Sequence, residues 1–391
     1  MSLAEGSIHD EARPHEADCP LMRAILAMMC ALSLVLASGQ NPELAAQNPS
    51  PALRSQSSLV LVPTLVTSKS GEIVYGLSAK DFVIEDNGVE QQTRLSETPD
   101  TELISLVVAV QVGGSASLVE FDQTKKPSAG DSESSQWHKT RKGALNGLGA
   151  MVEGFIGESK SEVALVTFDS HVELVQDFDE NVTAVDAKIK NLKASGNDGS
   201  AILDAVSYSI KLLEQRPKER TKVLLVISEP RDHGSKAKID EVLKRITESN
   251  TIVYSLSFSP LRAETVRDLR GQHPEAPVPA DLEPSEPPDT DVATIDILAM
   301  VYLASNALRE NTARAVADLT GGEYSTFKDG RTFDDSLAAL TGNLRDRYFL
   351  SFEPKNPKPG LHSIAVRLKE PRRDVTVLAR NRYWALGSVG Q

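Results

Sequence analysis

Four near-continuous apolar runs constrain this chain more than any other feature: residues 106–110, 163–168, 223–227 and the weaker 252–256. A strand without polar alternation is buried on both faces, as in a parallel sheet covered by helices. The remaining segments carry the complementary pattern. Leu145, Leu148, Val152, Phe155 and Ile156 form one stripe; Val182, Val185, Ile189 and Leu192 form a second. Ile202, Val206, Ile210 and Leu213 form a third, and Ile239, Val242, Leu243 and Ile246 a fourth. Phe333, Leu337, Leu340 and Leu344 close the series. Repeats of three or four residues predict helices with one buried face each. Strands alternating with such helices imply an open, mostly parallel α/β sheet with right-handed crossovers and helices on both faces.

Strand-prone segments flank this region. Residues 59–66 are β-prone, with Pro63 pointing to an edge or bulge. Residues 82–85 and 89–95 bracket Asn87-Gly88, a two-residue hairpin signal because both positions tolerate positive φ. Towards the C-terminus, residues 348–352 are expected to pair with 362–368 across a proline-rich turn, and 375–379 follow. Two polar insertions, 120–136 and 262–291, interrupt the alternation. The second is too rich in proline and acids for a helix, so early proteolysis is expected there.

The beginning of the chain reads as an address. Residues 21–37 are apolar and of signal-peptide length, short of the roughly 20 residues of a membrane span. Ala37-Ser38-Gly39 supplies small residues for cleavage, and Met22-Arg23 suits a translation start. The expected organisation is a signal region at 1–39 and a flexible spacer at 40–58. A β segment at 59–100, an α/β domain at 101–346 and a second β segment at 347–391 follow. An extracytoplasmic location follows, with membrane contact only through an uncleaved signal. Both cysteines, Cys19 and Cys30, precede the folded part, so a disulfide framework there is excluded.

The net charge of −13 argues against a nucleic-acid partner, since phosphate binding needs a basic face. No zinc-protease, phosphate-loop or dinucleotide motif is present. Gly113-Gly114-Ser115-Ala116-Ser117 lacks the last glycine of a nucleophile elbow. The seven histidines are scattered, and His233 reads as a solvated loop residue. Asp169 reads as a turn cap and Asp204 as a helix-start cap.

In open α/β sheets ligands bind beyond the carboxyl ends of the strands. Three such places stand out: 111–117, 194–200 and 228–232. Their sequences resemble those of the von Willebrand factor A (VWA) family, in particular its acidobacterial-type VWA-related proteins. The family's D-x-S-x-S, threonine loop and late aspartate together form a metal-ion-dependent adhesion site holding Mg²⁺. Here Gln111 stands at the first aspartate, Gly113 at the first serine and Ser115 at the second. A second register sets Gly113, Ser115 and Ser117 against D-x-S. Gly199-Ser200-Ala201-Ile202-Leu203-Asp204-Ala205 matches the threonine loop, and Glu229-Pro230 replaces aspartate-glycine. Other blocks match in order: residues 76–82 with 85–88, Thr320-Gly321-Gly322 with Tyr324, 348–350 and 378–384.

The resemblance implies a Rossmann-like VWA domain plus a small β-sandwich-like region built from the N- and C-terminal strands. It implies a non-enzymatic binding protein that meets a protein partner at the top of the sheet. With one family carboxylate replaced by an amide, a divalent cation is poorly supported, because hydroxyls alone do not replace its hydration shell. No cofactor is therefore expected. The alternative is Mg²⁺-dependent adhesion with Ser115, Ser200 and Glu229 as ligands and Gln111 supporting a water. Gly113, Gly114, Ser117, Asp198 and Asp232 would complete the binding surface. A hydrolase using Ser115 is the third reading.

Overall fold

The computed structural model describes residues 59–96, 103–114, 143–157, 161–258, 297–328, 330–355 and 357–386. All belong to the unit spanning residues 56–391. The signal region, the spacer, both insertions, Ser115 and Ser117 lie outside the described residues.

Strands β1 (Val60–Ser68), β2 (Phe82–Asp86), β3 (Val89–Gln91) and β4 (Arg94–Leu95) come first. Next are β5 (Ile104–Gln111), α1 (Gly143–Gly157), β6 (Glu162–Phe168), β7 (Val172–Asp179), α2 (Val182–Lys190) and α3 (Ile202–Glu214). Then follow β8 (Thr221–Ser228), α4 (Ile239–Glu248), β9 (Ile252–Phe258), α5 (Ile297–Glu310), α6 (Thr312–Thr320), β10 (Tyr324–Phe327) and α7 (Gly330–Arg345). Last are β11 (Tyr348–Phe352), β12 (Gly360–Leu368), β13 (Val375–Ala379) and β14 (Arg382–Ala385).

The central sheet is six-stranded, in the order β10-β9-β8-β5-β6-β7, with β7 alone antiparallel. Every residue of β5 is buried, which is why its sequence carries no alternation. Val108 and Val110 face a core with Leu148 of α1, Val185 of α2 and Leu337 of α7. Val107 and Ala109 face the other core, with Val206 of α3, Leu243 of α4, Leu308 of α5 and Val316 of α6. The chain passes from β5 to β6 on one side and returns to β8 on the other. The strand order therefore reverses between β5 and β8, where open α/β sheets form a crevice at their carboxyl ends.

The outer strands form two four-stranded antiparallel sheets, β13-β1-β11-β4 and β14-β12-β2-β3, each mixing N- and C-terminal strands. They share one apolar core, with Val62, Leu350 and Phe352 from the first and Ile84, Ile364 and Tyr383 from the second. Asn87 and Gly88 both take positive φ and turn β2 into β3, as their sequence suggests. One expectation is corrected: β11 does not pair with β12. β11 lies between β1 and β4, and β12 lies between β14 and β2. Residues 353–359 carry the chain from one sheet to the other, so both strands point apolar side chains into one core instead of sharing an edge. Pro63 lies inside the first sheet, where β1 loses its β13 neighbour; that pairing runs from Thr64 to Ser68.

Candidate functional site

The crevice between β5 and β8 gathers the expected residues by simple strand geometry. Gln111 is the last residue of β5, and Glu229 directly follows β8. Ser200 arrives on the loop before α3. Backbone bonds stitch these segments together. Ser195 N donates to Val112 O at 2.8 Å and Gly114 N to Asn197 O at 2.9 Å. Ser200 and His233 exchange both backbone bonds, at 2.9 and 3.0 Å. Glycine is needed where the loops meet. A Cβ on Gly113 would lie 2.5 Å from Asp169 Cβ and 2.8 Å from Asn197 O. A Cβ on Gly199 would lie 2.7 Å from Ser170 N.

At the centre, Gln111, Ser200 and Glu229 are 0%, 0% and 2% exposed. Gln111 Oε1 accepts from Ser200 Oγ at 2.9 Å and from Glu229 N at 2.8 Å. Gln111 Nε2 donates to Gly113 O at 3.0 Å, to Glu229 Oε1 at 3.0 Å and, more weakly, to Gly199 O at 3.4 Å. The partners fix the orientation of the carboxamide. Reversed, it would set an oxygen against a carboxylate and a carbonyl, and an N–H against the Glu229 N–H.

Among the described residues this donor set, Gln111, Ser200 and Glu229, does not fit a divalent cation. Mg²⁺ needs oxygen lone pairs in near-octahedral array. Here the Gln111 N–H groups are directed at the Gly113 carbonyl and Glu229 Oε1, and the Ser200 hydroxyl proton at Gln111 Oε1. Glu229 is the one charged member of the trio, and its Oε1 already faces the amide. Among the described residues no cluster of three or more His, Cys, Asp or Glu side chains could hold a metal.

The surrounding carboxylates separate into rim and support. Asp198 is exposed, with Oδ1 3.3 Å from where a Gly114 Cβ would stand, while Glu229 Oε1 is 3.1 Å from that point. Gly114 takes φ +72, and Gln111 Nε2 lies 3.4 Å from the same point, so a side chain there would be strained and crowded. Asp232 turns inward. Its Oδ1 accepts from Leu203 N at 2.9 Å and Ser235 Oγ at 2.5 Å, capping α3, while its own N–H donates to Thr312 Oγ1 at 2.9 Å. Burial raises the Asp232 carboxyl above the usual range, against these bonds. Asp169 accepts from His171 N at 2.7 Å and Asn197 Nδ2 at 2.8 Å. Burial opposes its charge, but the bonds prevail and hold it below the usual range. Asp204 anchors the next loop, accepting from Lys236 N at 2.9 Å and Ala237 N at 2.8 Å.

Sequence reasoning did not foresee a cavity of about 600 Å³ beside this apex, lined among others by Asp169, His171, Lys188, Lys193 and Asn197. These residues come from separate loops and a helix end, so no single motif announces them. The exposed His233 meets Ser200 through backbone alone, and the Ser200 proton goes to an amide oxygen. The trio therefore contains no nucleophile–base pair.

Comparison with known proteins gives a match of residues 122–231 to the von Willebrand factor type A domain. No curated protein matches the chain. Among solved structures, BatB from Bacteroides thetaiotaomicron is 13% identical with a TM-score of 0.37, covering 62% of this chain and 97% of that one. The PilB minor pilin of Streptococcus sanguinis is 10% identical with a TM-score of 0.38, covering 64% and 63%. Proximal thread matrix protein 1 from the mussel byssus, with a zinc-occupied adhesion motif, is 10% identical with a TM-score of 0.39, covering 66% and 49%.

Proposed function

Because the chain carries a von Willebrand factor type A domain, we propose that it is an extracytoplasmic interaction protein. It binds a protein partner through the loops at the carboxyl ends of β5 and β8, needs no divalent cation and catalyses no reaction. The observation that carries this reading is the amide of Gln111, whose Nε2 donates to Glu229 Oε1 and to the Gly113 carbonyl, oxygens that a cation would need. The apolar run at 21–37 supports export. The exposed Asp198 supplies the accessible part of the surface.

The test immobilises the full chain, beside Asp198→Lys, and offers it extracytoplasmic proteins in chelator and in Mg²⁺. The expected outcome is a partner retained equally in both conditions and released by the substitution. Retention only in Mg²⁺ overturns the metal-free mode. Retention indifferent to Asp198→Lys moves the contact elsewhere. A serine-directed covalent probe is expected to leave Ser115 unlabelled; labelling would sink the non-enzymatic reading.

A further inference from the structure

We infer that the Gln111 carboxamide has taken over the bridging role of a divalent cation at the apex, donating to the buried Glu229 carboxyl group and tying the three loops together from within. The inference rests on the metal-free reading above. A carboxylate 2% exposed needs a donor at close range. Gln111 Nε2 provides one at 3.0 Å, and the same nitrogen reaches the carbonyl of Gly113 at 3.0 Å and that of Gly199 at 3.4 Å. These are carbonyl and carboxylate oxygens, the atoms a hard cation would collect. On its other side the carboxamide oxygen gathers the Ser200 hydroxyl and the Glu229 N–H. Both donors and both lone pairs are thus used, and the group is wholly buried.

Because one nitrogen replaces the ion, one atom should bring the ion back. Gln111→Glu keeps the length and the accepting oxygen. It exchanges only the nitrogen for an oxygen, directed at Glu229 Oε1 and the Gly113 carbonyl. Two carboxylates and the carbonyls of Gly113 and Gly199 then face one space, an oxygen set suited to a divalent cation.

The experiment follows thermal unfolding of the full chain in chelator and in rising Mn²⁺. Wild type is expected to melt at the same temperature throughout. Gln111→Glu should melt lower in chelator and recover with Mn²⁺ along a one-site saturation curve. The double variant Gln111→Glu/Glu229→Gln, which restores one amide and one carboxylate, should recover in chelator and lose its Mn²⁺ response. Stabilisation of wild type by Mn²⁺ would overturn this inference and the metal-free mode together. A Gln111→Glu protein as stable as wild type in chelator, or destabilised and indifferent to Mn²⁺, overturns this inference alone. If that variant does not fold in chelator, it is prepared in Mn²⁺. Folding only with the ion supports the inference, and failure in both overturns it.

Discussion

At the scale of single residues, the apex depends on the absence of side chains as much as on the groups present. Gly113 lies against Asp169 and Asn197, with no room for a methyl group. Gly196, in the loop it touches, has nothing within 4 Å of a built Cβ. Gly113→Ala should therefore cost about 1–3 kcal/mol, the usual range for overpacking. Gly196→Ala should fall within about 0.5 kcal/mol of wild type, as surface changes do. Urea unfolding of the two variants checks the contrast; equal effects would mean that the loops adjust freely. The same logic explains the Thr320-Gly321-Gly322 turn. Gly321 takes φ +78 as the C-cap of α6, and a Cβ there would lie 2.4 Å from Arg380 N. A Cβ on Gly322 would lie 1.9 Å from Val253 O. These glycines were visible in the sequence, but their contacts were not, because each neighbour is distant along the chain.

At the scale of elements, two buried polar arrangements join strands to what they pack against. Arg380 is buried, has no carboxylate partner among the described residues, and donates to Thr247 O in the last turn of α4, to Asn250 Oδ1 at 3.3 Å and to Arg382 O at 2.8 Å. Burial lowers its guanidinium to about 10, so it stays charged at neutral pH and complements the helix C-terminus. Arg380→Met would strand those carbonyls, an expected loss of about 2–4 kcal/mol by denaturant titration. In the sandwich, His362 Nδ1 lies 2.8 Å from Asp86 Oδ1, and Nε2 lies 2.7 Å from Lys358 O. Tyr383 Oη donates to Asp86 Oδ2 at 2.9 Å, and Asn87 Nδ2 is 3.1 Å from the same His nitrogen. Burial opposes the imidazolium, but the bonds to Asp86 and Lys358 prevail and raise His362 above 6.5. A raised folded-state value means stabilisation that is complete below the unfolded value and lost as pH climbs through the folded one. The urea midpoint should therefore decline from pH ~6.5 upward. His362→Gln should flatten that decline; an unchanged slope would assign it to other groups.

At the scale of the whole molecule, legibility followed the reach of the interactions. β5, β6, β8 and β9 were readable because burial on both faces removes polar alternation. β7 was not read, because it is a half-exposed edge with irregular register against β6. The convergence of Gln111, Ser200 and Glu229 could be placed from motif order, but spacing does not say which atom donates. The pairing of β11 was misread because a proline-rich turn between two β-prone runs looks like a hairpin. Its real partner, β1, lies at the other end of the chain.

That distant pairing makes the sandwich and the α/β region interdependent. β1 is flanked by β11 and β13, and β2 by β12 and β3, so the N-terminal strands have few partners of their own. Leu361 of β12 and Trp384 of β14 join the core formed by α3–α6, and Lys244 of α4 lies 5.7 Å over the Trp384 ring. Arg347 donates to Tyr254 Oη of β9 at 2.7 Å and to Gly321 O at the end of α6. A chain ending at residue 346 would leave β1 without both neighbours and strip these bonds from β9 and α6. Hydrogen exchange should then show the amides of Val62 and Ile84 unprotected, and the α/β region should melt below its temperature in the full chain. An α/β region melting unchanged would mean that the sandwich is an independent appendage and that its arginines contribute nothing to the neighbour they touch. The loss should also spread unevenly. β5 and β8, buried at the centre of the six-stranded sheet, should retain protection longest, while α4 and α6 fray first because their C-terminal carbonyls lose the two arginines.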